Sequence, residues 1–240
     1  MAITHKLLRT AGVMLGLTAS TGGAQPWDYE VTPYLWMPSF SAGLTLGALP
    51  PTEGETSFWD VLEGAFLLQG EARNDDFAVF GEFNYLKLGN TYAPSVPVLQ
   101  TDVGLDGYMA MLAYARTVTQ HSKSRLDVYG GARYWNLTLT ARNQLAGGAQ
   151  SRQVWIDPVV GLRGRHTITE TVSVDGDVNI GGFGVGSQFQ ADVSGSVAWQ
   201  LGDATKLRLG YRYLKVDFEG QAAVADIKIY GPFVALGFQF

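Results

Sequence analysis

Apolar and polar residues alternate along most of this chain. In "QADVSGSVAWQL" (190–201), Ala191, Val193, Gly195, Val197, Trp199 and Leu201 share one parity, and Gln190, Asp192, Ser194, Ser196, Ala198 and Gln200 share the other. "TKLRLGYRYL" sets Leu207, Leu209, Tyr211 and Tyr213 against Lys206, Arg208, Gly210 and Arg212. "VSVDGDVNI" sets Val172, Val174, Val178 and Ile180 against Ser173, Asp175, Asp177 and Asn179. Successive side chains of a strand point to opposite faces, so a period of two predicts strands with one apolar and one polar face. Ten strands are predicted, over approximately 27–47, 62–73, 76–88, 102–118, 125–140, 152–166, 170–182, 188–201, 205–217 and 226–240. Eight or twelve remain open, because the first holds Pro33 and Pro38 and proline cannot donate to a ladder.

Short polar turns ("RNDD", "TQHSKS", "HTITE", "LGDAT") alternate with longer connections at roughly 48–61, 89–101, 141–150, 182–188 and 217–225. That rhythm predicts an all-β fold: an antiparallel up-and-down transmembrane β-barrel of about ten strands, short turns periplasmic and long loops extracellular. The apolar parity then faces lipid. The final "GPFVALGFQF" places Tyr230, Pro232, Val234, Leu236, Phe238 and Phe240 on that face, and the last strand pairs with the first so that no edge is left. A soluble β-sandwich or lipocalin-like barrel is the competing fold. Its apolar parity would point inward, and a small core has little room for this many Tyr and Trp.

Composition agrees. Hydrophobic residues are 46%, charged residues only 16%, and glycines number 30. Such averages arise when half of each strand faces lipid and half a polar lumen. Residues 1–24 have the layout of a secretory signal: Lys6 and Arg9, the apolar run "AGVMLGL", then Gly22 and Ala24 before a cleavage point. Its removal takes two bases and no acid, and the net charge falls from −5 to −7. The barrel domain is then 25–240. An acidic balance argues against nucleic acid as a partner. With no cysteine there is neither disulfide nor thiolate metal site.

"YLWMP" (34–38), "GARYW" (131–135), "DPVVGLR" (157–163) and "GYRYL" (210–214) resemble segments of small proteobacterial outer-membrane barrels of the OmpA, OmpW and opacity type. The resemblance implies residence in the outer membrane of a Gram-negative cell among lipid and lipopolysaccharide. It also implies insertion by the barrel-assembly machinery, for which Phe238 and Phe240 on the terminal strand resemble the insertion signature. It assigns no activity.

The lumen parity carries the candidate chemistry. Its bases are Arg73, Arg133, Arg163, Arg165, Lys206, Arg208 and Arg212, and its acids Glu30, Glu71, Glu82, Asp127, Asp157, Asp175, Asp177 and Asp192. Charges in a narrow barrel must pair, which predicts a cross-lumen network that plugs it. Asp175 and Asp177 are expected to meet Arg163, Arg165 or Arg208. The competing reading is a charge-lined, porin-like pore, or a conduit for a small apolar solute. Its candidate lateral gate is Pro33, Trp36 and Pro38, with a short amphipathic helix at "TSFWDVLEG" carrying Phe58 and Trp59 as a lid. Trp36, with Trp27, Tyr29, Tyr108, Tyr114, Tyr134, Trp199, Tyr211 and Tyr213, is also read as an interface aromatic. Enzyme chemistry is not expected. His121 and His166 fall in periplasmic turns, whereas the barrel enzymes this fold resembles use a histidine near the outer rim. No cofactor or metal is expected.

Overall fold

The computed structural model describes residues 27–46, 52–57, 62–92, 101–143, 147–219 and 223–240. The secretory-signal expectation therefore falls outside the described residues, as do Phe58 and Trp59.

Twelve strand segments follow in chain order. They are β1 Asp28–Trp36, β2 Ser39–Leu46, β3 Thr52–Ser57, β4 Leu62–Arg73, β5 Phe77–Tyr92, β6 Thr101–His121, β7 Ser124–Asn143, β8 Gly147–Thr167, β9 Val172–Gly181, β10 Phe189–Gln200, β11 Thr205–Glu219 and β12 Ala223–Gln239. β1 and β2 run one after the other along β12, and β3 and β4 return along β2 and β1. The twelve segments thus make ten staves, antiparallel throughout. β1 pairs with both β4 and β12, which closes the barrel. Tyr29 and Phe240 exchange two backbone hydrogen bonds of 3.1 Å at the closure. Both ends of the described barrel, at Trp27 and Phe240, and the short turns lie at one rim. There Asn74 Oδ1 accepts from the amides of Asp76 and Phe77, and Thr169 Oγ1 from those of Thr171 and Val172. The longer hairpins rise from the far rim.

The parities are those read from the sequence, up to a level where they invert. On β11, Leu209, Tyr211 and Tyr213 are exposed and Arg212 is buried. Above Tyr213, Leu214, Val216 and Phe218 are buried, and Lys215 and Asp217 point outward. β12 turns over at the same height, with Ile229 inside and Lys228 and Asp226 outside. Aromatic side chains mark the level: Phe66–Phe83, Phe83–Tyr108, Tyr108–Tyr134 and Tyr213–Tyr230 neighbour one another on the outer wall. A second girdle (Trp27, Phe77, Tyr114, Tyr29 and Phe240) rings the terminal rim. Tyr230 and Phe240 are ten residues apart, about 34 Å along the strand, and a tilt of about 40° makes that about 26 Å of height. That matches the ~25 Å apolar band of a membrane barrel. Above it the outer wall carries Tyr85–Asp106, Arg152–Asn136, Lys215–Asp217 and Lys228–Asp226 contacts, as a wall in water would.

Two expectations are corrected here. Much of the predicted loop at 89–101, 141–150 and 217–225 is ladder, because β5–β8, β11 and β12 continue past the membrane with inverted pattern. "TSFWDVLEG" is not a helix where it is described: Thr56 and Ser57 belong to β3, and residues 62–64 to β4.

The prolines break the first stave but do not part it from β12. Met37 N donates to Pro232 O at 3.0 Å across the interruption. Gly231 permits this approach, since a Cβ there would lie 2.8 Å from Pro38 Cα. The ladder stops on the other side. β1–β4 pairing ends at Pro33 with Leu68, and β2–β3 pairing starts at Ser39 with Ser57. Between these points, among the described residues, no ladder joins 34–38 to 62–67.

Candidate functional site: a lumen in two halves

β5, β7, β10 and β11 each bring one charge to the middle of the lumen. Arg212 donates to Glu82 at 2.7 and 3.1 Å and to Asp192 at 2.6 and 2.9 Å. Arg133, with no exposed surface, donates to Asp192 at 2.8 Å and lies 3.8 Å from Glu82. Two guanidiniums and two carboxylates from four staves thus share one plane. A buried guanidinium is tolerable only where carboxylates meet its fork, and these contacts supply that geometry.

A second tier lies toward the terminal rim. Glu71 accepts from Arg73 at 2.5 Å and from Arg163 at 2.8 and 3.2 Å. Asp127 accepts from Arg73, Arg163 and Thr117. Glu30 pairs with Arg208 at 2.6 Å, and Asp175 with Arg165 at 2.5 Å and Arg208 at 3.4 Å. Arg163 also stacks on Phe80, 4.0 Å from the ring centroid. All of these groups except Arg73 and Thr117 line a cavity of ≈ 200 Å³.

Among the described residues, three members of the predicted network depart from it. Asp157 meets no cation: it accepts from Trp155 Nε1 at 2.9 Å, Ser187 N at 2.6 Å and Ser187 Oγ at 2.8 Å. It ties down the 182–188 turn, where Gly182, Phe183 and Gly184 all have positive φ. Asp177 does not meet arginine either. Tyr129 Oη donates to it at 2.7 Å and Asn179 Nδ2 at 3.2 Å. Lys206 has no carboxylate within 4.0 Å among the described residues. Arg125, on the parity of Asp127, lines the same cavity and was missed.

The upper half of the lumen is apolar. Trp36, Leu67, Met109, Trp135, Trp155, Leu214, Val216, Phe218 and Ile229 pack as one core. Trp135 and Trp155 stack at 5.4 Å, and Trp155 meets Phe218 at 4.4 Å. Most of the core borders a second cavity of ≈ 50 Å³. Trp36 is therefore no interface aromatic. It is 1% exposed, its Nε1 donates to Gly231 O at 3.3 Å, and it shares the inward parity of Thr32 and Tyr34. Pro38 is buried too, and Pro33 is exposed on the outer wall. Phe238 and Phe240 face outward near the terminal rim, and Ser124 Oγ and His166 Nδ1 sit 2.7 Å apart there.

No protein-family model matches the sequence, and no curated protein matches it. Solved structures do. The outer-membrane protease OmpT of Escherichia coli superposes with a TM-score of 0.62 at 10% identity, over 89% of this chain and 97% of that one. The translocator domain of the autotransporter NalP of Neisseria meningitidis gives 0.50 at 11% identity, over 92% and 90%. The transport unit of the autotransporter AIDA-I of Escherichia coli gives 0.50 at 9% identity, over 93% of each. At these identities the likeness is one of fold, and the fold is the closed, ten-stave, antiparallel up-and-down barrel of outer-membrane proteins.

Proposed function

We propose that this protein is a resident of the bacterial outer membrane whose lumen is sealed and whose working surface is the far rim, set outward. The observation that carries this reading is that two sets of side chains reach across the lumen, one above the other. The Arg133–Asp192–Arg212–Glu82 cluster spans the middle, and the Trp135–Trp155–Phe218 stack lies above it. Barrels of this size have interiors that side chains alone can fill. The hairpins above the girdle have a polar outer wall and an apolar core, which makes a rigid platform for contacts with lipopolysaccharide or with other molecules at the cell surface. In this reading the protein is not an enzyme and needs no cofactor. Planar-bilayer recording on the refolded barrel, after a gel shows faster migration unboiled than boiled, is the test. Silence is expected; a steady single-channel conductance overturns the sealed lumen.

A further inference from the structure

The apolar cavity of the upper lumen holds two buried hydrogen-bond donors with no acceptor among the described residues. Asn84 and Trp135 both line it, and Asn84 Nδ2 and Trp135 Nε1 have no partner among the described residues. The orientation of the Asn84 amide follows from its neighbours. Arg212 donates to Tyr34 Oη at 3.2 Å, so Tyr34 gives its own proton to Asn84 Oδ1, and the amide nitrogen is left for the cavity. The remaining walls are Trp36, Met109, Leu137, Trp155, Leu214 and the apolar side chains around them. A buried donor left unpaired is costly, and an acceptor entering the cavity would recover that cost.

The same place is where the wall is unlaced. Tyr34 and Trp36 on β1 and Leu67 on β4 lie in the interval without a ladder between the two staves. Trp36 and Leu67 belong to the core that borders the cavity, and Phe66 beside Leu67 is 55% exposed on the outer wall, in the girdle. Among the described residues no backbone hydrogen bond joins 34–36 to 66–67, so a path from the outer edge of the apolar band to the cavity crosses side chains there. The cavity, at ≈ 50 Å³, is about a third of the ~150 Å³ that takes a benzene ring. It suits the carbonyl end of a chain, whose tail would lie out through the interval in the lipid.

We propose that this cavity is a binding site for an aliphatic chain bearing one carbonyl, entered sideways from the membrane between β1 and β4. The carbonyl oxygen accepts from Asn84 Nδ2 and Trp135 Nε1, and the first carbons pack on Trp36 and Leu214. The chain is either a free carbonyl compound or the acyl ester of a neighbouring lipid, and the two present the same chemistry to the site. The site does not depend on whether the lumen conducts water or ions.

The indole N–H resonance of Trp135, assigned by comparison with Trp135→Phe, reports the site directly. The whole barrel is placed in nanodiscs of ether-linked phospholipid, whose tails carry no carbonyl, and titrated with 2-decanone or with decane. A saturable downfield shift with 2-decanone is expected, with decane binding about tenfold more weakly for want of the hydrogen bonds. Asn84→Leu should weaken 2-decanone to about the level of decane, and Leu67→Trp should block entry and leave the resonance unmoved by either probe. Ester-linked nanodiscs without added probe separate the sources: a resonance already shifted there makes the lipid ester the occupant, and an unshifted one that responds to 2-decanone makes it a free compound. No saturable shift in any arm, equal binding of ketone and alkane, or an ether-lipid resonance already downfield and unmoved by ketone (a resident water) each overturns the proposal.

Discussion

The guanidinium of Arg212 lies against the ring of Trp36, its Cζ 5.0 Å from the centroid. This contact is the floor of the apolar half of the lumen and the ceiling of the charged half. Below it Arg212 holds Glu82 and Asp192; beside it Trp36 starts the core that runs to Phe218. Arg212 is thus shared by two environments that would otherwise meet as charge against hydrocarbon.

Arg212→Met should be among the most destabilising single changes in the lumen. It leaves Glu82 and Asp192 buried with Arg133 alone between them, and removing one partner of a buried ion pair costs about 3–5 kcal/mol. Arg212→Met with Glu82→Gln should recover part of that loss, because one stranded charge is removed with its partner. Denaturant unfolding of the micelle-bound barrel, followed by tryptophan fluorescence, measures both. A single variant as stable as the parent would show that the cluster contributes no net pairing.

The inversion at Tyr213 gives β11 two exteriors. Spin labels at 209 and 213 should report lipid, and labels at 215 and 217 water, although all four share one parity. Leu209→Arg should cost about 2–4 kcal/mol, as a cation near the middle of the lipid face does. Asp217→Leu, in water on the same side, should change stability by no more than about 0.5 kcal/mol. Lipid-like accessibility at 215 would move the membrane boundary upward and remove the inversion.

The membrane half of the fold was legible in the sequence because one rule held there: charges inward, Val, Leu and Tyr outward. The platform was not, although "YLKVDF" and "IKIY" carry it in plain view. The alternation never stops at Tyr213; only its sense changes, so Lys215 and Lys228, both inside predicted strands, stand outward where the membrane rule puts apolar residues. Trp36 was misplaced for a related reason. Tryptophan near a strand end suggests a girdle, whereas the parity shared with Glu30, Thr32 and Tyr34 puts it inside. Asp157 kept its inward parity and lost its expected partner, because the β9–β10 turn is low enough to bring Ser187 to it. Nothing in the spacing of 157 and 187 shows that contact in advance. The same holds for Asn84 and Trp135, 51 residues of chain and two staves apart.

Asp157 should govern the order of the 182–188 turn. Its carboxylate holds Ser187 by both amide and hydroxyl, and Trp155 by the indole N–H. Asp157→Ala strands all three donors, a loss of about 1–3 kcal/mol for a buried group left unpaired. The exposed Phe183 at the tip gives chymotrypsin a target in a turn that is no longer tied down. Faster cleavage at Phe183 in intact outer membranes is expected for Asp157→Ala, with Asp157→Asn intermediate because it keeps one acceptor. Equal cleavage of all three would mean that the glycines, not Asp157, set the turn.

Gly231 should be the residue on which closure at the proline break depends. Where β1 gives way to β2, β12 must approach Met37 and Pro38 closely enough for Pro232 O to accept from Met37 N. A side chain at 231 would drive its Cβ onto Met37 O and to 2.8 Å from Pro38 Cα, backbone atoms that cannot step aside without opening the ladder. Overpacking of this kind costs about 1–3 kcal/mol where the surroundings can relax. Here it falls on the seam that joins the first stave to the last. Gly231→Val should therefore lower the fraction of protein that runs in the fast, unboiled form on a gel after refolding. Gly70→Ala is the control, since a Cβ there meets nothing within 4 Å. If Gly231→Val refolds as fully as Gly70→Ala, the break is more pliable than its geometry implies, and the wall can part there on the β12 side as well as on the side of β4.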